Sequence, residues 1–475
     1  MEKDLYLSKG WLSHAFLHIE RKREAELTEK DRVVLDIRVG SLDPVLSDKH
    51  QGTERWESRS GGIWIKRTSK HRDADKHAAV TAVDVLFGSD SVEARPNWQR
   101  ILSPLMLPDV GGSNQGAYLT IRRGLAEEIR KPRLHINSDG KFKILQLADL
   151  HLATGVGICR DAEPPEHDGG HCEADTRTLA FVARILDEEK PNLVILSGDQ
   201  VNGETAPDAQ SAIYKFAAPL IERKIPYAAI FGNHDDEGSL SRTALMQLIT
   251  DLPYSLSEAG PTTLDGVGNY YIEIYGRGGS PHSALTLYLL DTHGYSPDER
   301  QFRGYDWLKK NQIDWFKATA SELKRSSLHT GYKHVHMDMA FIHIPLPEYR
   351  EDIVQPQTGH LLENPTAPGF NSKFRDALVE EGVHAVSCGH DHVNDYCSLG
   401  KSKEGKPELW MCYAGGAGFG GYGGYGGYHR RVRLFEFDMN EAKLKTWKRV
   451  EWGEPGKRVD EVTILEQGHP VALTT

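Results

Sequence analysis

Phe142-Lys143-Ile144-Leu145-Gln146-Leu147-Ala148-Asp149-Leu150-His151 is the stretch on which the fold turns. An apolar run of strand length stops at a carboxylate and an imidazole spaced i, i+2. Alternate residues of an extended chain share a face, so Asp149 and His151 can reach one ion from the same side of the pleat. Downstream, apolar residues at Leu179, Val182, Ile185 and Leu186 mark an amphipathic helix. A buried strand over 193–197, a helix over 209–222 and a strand over 227–231 follow. This βαβαβ order predicts an α/β domain whose parallel or mixed sheet carries helices on its faces. Ligands of such sheets gather beyond the carboxyl ends of the strands.

Each later strand also ends in chemistry. The second runs into Gly198-Asp199-Gln200, where glycine permits a tight exit and the aspartate can bridge two metals. The third runs into Gly232-Asn233-His234-Asp235, with a neutral oxygen ligand in Asn233 and a proton donor in His234. The segment 339–345 places His343 before a proline break, and 386–392 ends in Gly389-His390-Asp391-His392. Any one of these occurs by chance; five in order, all at strand ends, define a site. The metal-ligand candidates are therefore Asp149, His151, Asp199, Asn233, His343, His390 and His392. His293 and His336 are the rivals of His343. His234, Asn202 and Asp235 are the catalytic candidates. Asn233, His234, Arg430 and Arg431 are the substrate-binding candidates, and His429 stands beside the last two.

The N-terminal third has a different texture. Leu35-Asp36-Ile37-Arg38-Val39-Gly40 aligns with Val83-Asp84-Val85-Leu86-Phe87-Gly88 at an offset of about 48 residues. Each copy continues to a tryptophan (Trp56, Trp98) and closes with a strand-like segment, over 63–67 and 118–123. Leu5-Tyr6-Leu7-Ser8-Lys9-Gly10 reads like the closing strand of a third copy whose opening is absent from the sequence. Residues 1–125 are thus expected to form an all-β module resembling a three-fold β-prism. A connection over 126–140 follows, with a short helical piece near 125–130 ended by Pro132. The α/β domain is expected over 141–455 and a tail over 456–475.

The remaining features bound the reading. Residues 1–133 hold 23 Lys+Arg against 20 Asp+Glu, so the net charge of -11 sits in the remainder. An acidic body suits divalent cations and disfavours a polyanion lying across it, so no nucleic-acid partner is expected. Arg21-Lys22-Arg23 reads as a solvated charged face. No apolar run approaches a bilayer span, the first residues lack signal-peptide order, and none of the 12 asparagines begins a glycosylation sequon. With five cysteines, the expectation is a reducing, cytoplasmic compartment, an upstream anchor being the alternative. Cys159, His167, His171 and Cys172 share one loop, open to a third metal, a 159–172 disulfide or a plain loop cover. The glycine-rich run 414–428 is expected to close a hairpin between strands near 409–413 and 432–437.

The five motifs are those of the calcineurin-like metallophosphoesterase superfamily, which 141–450 resembles. The resemblance implies an αββα sandwich with two divalent ions at the strand ends. One ion would take Asp149, His151, Asp199 and His392; the other would take Asp199, Asn233, His343 and His390. It further implies attack by a metal-bridged hydroxide, with His234 as general acid to the leaving group. Gly198-Asp199-Gln200-Val201-Asn202-Gly203 and Gly232-Asn233-His234-Asp235-Asp236-Glu237 are similar to a narrower group. This comprises fungal phosphatases described as dosage-dependent cell-cycle regulators and plant purple-acid-phosphatase-like relatives. The likeness implies a phosphatase for phosphomonoesters, on phosphoproteins or small phosphoesters. The alternatives are a phosphodiesterase on cyclic nucleotides or lipid head groups, and a non-enzymatic adaptor meeting a membrane or protein through 1–125. Purple acid phosphatases carry a tyrosine where this chain has Asn202, and lack a histidine at the His151 position. Two colourless divalent ions (Mn, Fe or Zn) are therefore expected. Phosphoprotein phosphatases have at the Asn202 position an aspartate that pairs with the catalytic histidine, so the comparison implies a hydrogen bond from Asn202 to His234, plain loop structure being the alternative. Gly203 stands where those enzymes have an arginine, so phosphate must be anchored from elsewhere.

Overall fold

The structure is a computed structural model that describes residues 2–5, 15–41, 43–44, 54–68, 77–107, 116–331, 333–350, 356–423 and 427–473. Two compact units divide the chain. One holds 1–129 with 154–156 and 210–218; the other holds 130–153, 157–209 and 219–475.

The first unit is all-β apart from its helical segment. β1 (Glu2–Asp4) pairs antiparallel with β2 (Phe16–His18). β3 (Val34–Val39), β4 (Arg55–Arg59) and β5 (Ile63–Arg67) form a sheet in the order β3-β5-β4. β6 (Val80–Phe87), β7 (Trp98–Arg100) and β8 (Ala117–Arg123) repeat that order as β6-β8-β7. The internal repeat is thus a repeat of sheet topology, with each tryptophan on the middle strand in sequence and an arginine over its ring (Arg38 on Trp56, Arg95 on Trp98). Strand alternation turns Ile37, Val39, Val85, Phe87, Leu119 and Ile121 into one core, which Leu5 joins. Residues 6–10 of the expected third closing strand lie outside the described residues.

The second unit is a sandwich. β9 (Lys141–Leu147), α1 (Ala174–Glu189), β10 (Leu193–Ser197), α2 (Ala209–Glu222, of which 210–218 belong to the first unit), β11 (Tyr227–Ile230) and α3 (Arg242–Thr250) open it. β12 (Tyr270–Tyr275), β13 (Ser283–Leu289), α4 (Lys310–Arg325), α5 (Ser327–Thr330), β14 (Met337–Phe341), α6 (Phe374–Glu380) and β15 (Ala385–Cys388) follow. β16 (Cys397–Lys401), β17 (Pro407–Tyr413), β18 (Arg431–Asp438), β19 (Lys443–Val450), β20 (Val459–Glu466) and β21 (His469–Pro470) complete it. A seven-stranded sheet runs β11-β10-β9-β18-β19-β20-β21, and a six-stranded sheet runs β12-β13-β14-β15-β17-β16. In each sheet, consecutive central strands joined through helices are parallel (β9-β10-β11; β13-β14-β15), and strands joined by tight turns are antiparallel.

The period of two explains the layers. Phe142, Ile144, Leu193, Ile195, Ala228 and Ile230 meet Leu285, Leu287, Met339, Phe341 and Trp410 in one core between the sheets. On the other face of the six-stranded sheet, Tyr288, Ala340, Ile342, Val386 and Met411 pack under Phe316 and Ala320 of α4 and Phe374 and Leu378 of α6. On the other sheet, Glu189 at the end of α1 takes Lys143 of β9 and Arg449 of β19. This is the αββα arrangement expected.

Four local expectations change. The stretch 125–130 is irregular rather than helical; one turn cannot recover the cost of nucleation. Leu134 and Ile136, within the expected connection, are buried in the sandwich core. Residues 459–466 are a sheet strand, not a tail. The glycine-rich run closes no hairpin: β17 pairs with β15 and β16, β18 with β9 and β19, so the strands on its two sides lie in different sheets. Each flanking strand finds a nearer partner across a shorter turn.

Candidate metal centre

The parallel strands of both sheets release their chains at one end of the sandwich, and the motif residues collect there. Asp149, His151 and His392 form one buried group, and Asp199, His343 and His390 another; within each, the ligand atoms lie within 4.8 Å of one another. Asp199 joins the two, with Oδ2 3.1 Å from His343 Nε2 and 3.9 Å from His151 Nε2. His151 Nε2 and His392 Nε2 face each other at 3.1 Å, and His392 Nε2 lies 3.4 Å from Asp149 Oδ1.

The backbone carries strain at these positions. Asp149 (φ 56°), His151 (φ 48°), Asp199 (φ 52°) and His390 (φ 78°) all adopt the left-handed region. Such conformations cost about 1–3 kcal/mol each and persist where the surroundings overdetermine them. Here the surroundings are a net of main-chain bonds. Asp149 N–H and His151 N–H donate to Gly198 O and Asp199 O, and Gly389 N–H donates to His343 O. Gly198 itself has φ 99°, and a β-carbon on it would strike the His343 ring.

The crossover from β17 to β18 ties the loops together. Gly416 N–H donates to His392 O, Ala417 N–H to Ala148 O and Gly418 N–H to Asp149 O. A carbonyl can only accept, so His343 Nδ1 (2.9 Å from Ser197 O) and His392 Nδ1 (2.7 Å from Tyr422 O) carry the ring proton. Each Nε2 is thereby turned toward the centre, as second-shell bonds do at metal sites. Tyr422 also stacks on the His392 ring at 4.0 Å.

The donor set fits divalent cations. His390 Nε2 and the Asn233 amide atoms are buried without a hydrogen-bond partner. Orphaned buried polar atoms are costly, and carboxylate oxygen with imidazole nitrogen is the donor chemistry of Zn, Mn and Fe. Burial, then the His392 charge, holds His151 well below the ordinary histidine range; burial, then His343, does the same to His390. Burial also opposes the His343 imidazolium, but the Asp199 and Asp149 carboxylates more than reverse it and lift this group to about 9.

His234 stands at the open side of this centre, its ring edge-on to His151 at 5.3 Å. Its Nδ1 lies 2.8 Å from Glu237 Oε2; Glu237, rather than the expected Asn202, orients the ring. Burial lowers the basicity of His234, yet Asp199 and Glu237 together raise it above the ordinary value. Asn202 is buried, and its main chain pairs with Leu152 and Thr205.

Asp235 accepts from the N–H groups of Asp199 (2.9 Å), Val201 (2.9 Å) and Gly232 (2.7 Å), so it clamps two ligand loops. Burial and the Asp199 charge push its carboxyl up to about 6. Its carboxylate is filled by these bonds, which makes it a positioning residue where a catalytic one was expected.

Arg430 and Arg431 depart from expectation too. Arg430 donates to Gly418 O, Arg160 O and Gly421 O, and Arg431 to Asp395 and His429 O. Both guanidinium groups hold the crossover in shape. The rivals of His343 are satisfied elsewhere: His293 Nε2 meets Gln312 Oε1 at 2.8 Å, and His336 lies between Ser283 O and Asp338.

Several residues around the site were not singled out in advance. Glu237 was readable as a carboxylate three residues after His234. Arg242, which joins Gly232 O, His293 O and Asp291, gave no local signal. Nor did the stacked pair Tyr295 and Tyr305 beside His390. Of the two disulfides, Cys159–Cys172 was among the alternatives and Cys397–Cys412, directly across β16 and β17, was not; Cys388 is free and buried. Among the described residues no helix is long and apolar enough to cross a membrane.

Residues 142–394 match the Calcineurin-like phosphoesterase family, and the chain belongs to it. It is 40% identical over 412 residues to Phosphatase DCR2 of Saccharomyces cerevisiae, covering 84% of this chain and 69% of that protein. It is 37% identical over 344 residues to an Arabidopsis thaliana protein named Probable inactive purple acid phosphatase 29, covering 70% of this chain and 85% of the relative. Among solved structures, a dimetal phosphatase from Danio rerio aligns at 14% identity with a TM-score of 0.41, over 68% of this chain and 99% of that one. The chain is thus a metallophosphoesterase with two metal-binding groups.

Proposed function

We propose that the protein hydrolyses phosphomonoesters, phosphoproteins being the favoured substrates, with two divalent ions of the Mn, Fe(II) or Zn type. One observation carries this reading: two buried ligand groups share Asp199, and a carboxylate-oriented histidine faces them. Asp149, His151, Asp199 and His392 would hold one ion; Asp199, Asn233, His343 and His390 would hold the other. When bound, such a pair activates water and neutralises phosphoryl oxygens.

The protein's own part follows from its side chains. His234, charged and held by Glu237, delivers a proton to the departing alkoxide. Asp235 fixes the loops that carry Asp199 and Asn233, so the acid and the ligands keep one geometry. Asn202 in place of a tyrosinate ligand predicts a colourless enzyme.

Turnover of p-nitrophenyl phosphate and bis-p-nitrophenyl phosphate with added Mn²⁺ tests this. The monoester should be hydrolysed faster, and His234→Ala should keep two bound ions while kcat falls about 10²–10³-fold. A faster diester would turn the reading to a phosphodiesterase; no turnover of either with both ions bound would end it.

Two disulfides also favour an oxidising compartment over the reducing, cytoplasmic one expected from cysteine number. Thiol alkylation of the denatured native protein, without reductant, should count one free cysteine; five would restore the earlier expectation.

A further inference from the structure

The phosphate-anchoring group that Gly203 leaves unfilled has a candidate in the loop after β13. Arg242 donates to Gly232 O and His293 O, so it fastens the 292–295 segment to the Asn233 loop. The fit is close: a β-carbon on Gly294 would lie 3.7 Å from Asn233 Cα. Asp306 N–H donates to Gly294 O and Ser296 N–H to Gly304 O, which closes the return of this loop.

Two phenols stand on it. The Tyr305 ring meets the His390 ring edge-on at 4.3 Å, and Tyr295 stacks on Tyr305 at 5.2 Å with 22° between planes. Tyr295 remains 52% exposed, yet its hydroxyl stands beside the Tyr305 hydroxyl and the Asn233 side chain. A half-exposed ring with its polar end directed at a ligand is placed to meet a molecule entering the centre. Arg242, Arg430 and Arg431 are all committed to backbone carbonyls or to Asp291 and Asp395. A phosphoryl dianion needs donors beyond the ions, and a neutral phenol is a good one.

We propose that Tyr295 is a substrate-binding residue whose hydroxyl donates a hydrogen bond to a non-bridging phosphoryl oxygen on the Asn233 side of the centre, Tyr305 holding its ring. This rests on the phosphoester reading above but not on which ester is cleaved. The bond serves bound ester and transition state alike, so its loss should raise KM and leave kcat nearly unchanged.

The test is calorimetric titration of Mn²⁺-loaded protein with inorganic phosphate, joined to steady-state kinetics on p-nitrophenyl phosphate. Tyr295→Phe keeps the stack and removes the hydroxyl. It should bind phosphate about tenfold more weakly, the size of one hydrogen bond to a charged group. KM should rise by a similar factor, with metal content and kcat within about twofold of wild type. Unchanged phosphate affinity in Tyr295→Phe overturns the proposal, and so does weakening only in Tyr295→Ala, which would assign the effect to the ring. A wild-type protein that takes up no phosphate overturns it as well. Phosphate binding that depends on the hydroxyl, in a protein that cleaves no monoester, supports this proposal while removing the monoesterase reading.

Discussion

The two sheets of the sandwich contribute unlike chemistry to one centre. On the proposed reading the seven-stranded sheet, which ends in Asp149, His151, Asp199 and Asn233, would bring every oxygen ligand and the bridge. The six-stranded sheet brings histidines alone: His343, His390 and His392. Neither sheet holds an ion by itself, since each ligand group takes members from both. Beside the six-stranded sheet stand His329 of α5, His336 and His384, and there the imidazoles meet Thr286, Asp338 or backbone. A histidine on this sheet is therefore informative when its ring nitrogen gathers with the carboxylates of the other sheet, and not merely because it is a histidine.

The contrast is sharpest in Asp199. Asp199→Ala should empty both groups and cut activity by more than about 10³-fold, the several kcal/mol that Lewis-acid chemistry supplies. His390→Ala should lose one ion and keep the other. Metal analysis after desalting decides; one ion retained by Asp199→Ala would mean that the bridge is not the shared element.

A smaller effect separates the ligands from the acid. Glu237 and Asp199 raise His234 above its ordinary basicity, so Glu237→Gln should lower the pKa of the charged acid. The limb on which rate falls as pH rises then moves toward lower pH, at about tenfold in rate per unit on that limb. An unmoved limb in the kcat profile would assign it to another group.

The smallest effect concerns stability on the far side of the six-stranded sheet. Burial, then the neighbouring His336, pulls His329 from 6.5 to about 4. The unfolded chain thus binds the extra proton between these values, and stability contributed by neutral His329 is lost as pH falls from about 6.5 to about 4. His329→Gln should flatten that limb in thermal melts, whereas a mutant as acid-sensitive as wild type would locate the sensitivity elsewhere.

What the amino acids disclosed in advance follows the range of the interactions. The strand-end ligands were legible because a strand and its exit are local, and Asp149-Leu150-His151 needs no knowledge of the rest of the chain. The three-strand repeat was legible for the same reason. The partner of His234 was missed although it stands three residues away, because an open loop does not fix which side chain turns inward. Asp235 could not be told from a catalytic carboxylate, since two of its three N–H donors, Asp199 and Val201, come from another loop. The destination of β17 and β18 was misjudged because both read as strands flanking glycine; which sheet each joins depends on partners far along the chain. Arg430 and Arg431 looked free for substrate until the carbonyls of the crossover filled them.

That crossover has a consequence for judging which chains of this kind are live. A β-carbon on Gly418 would run into Leu150 O, and one on Gly421 into the rings of His151 and His392. A descendant could keep every ligand and still lose its centre to a single added methyl group. Inheritance of the ligands and inheritance of the bare backbone that covers them are separate conditions, and only chains meeting both should be counted as enzymes.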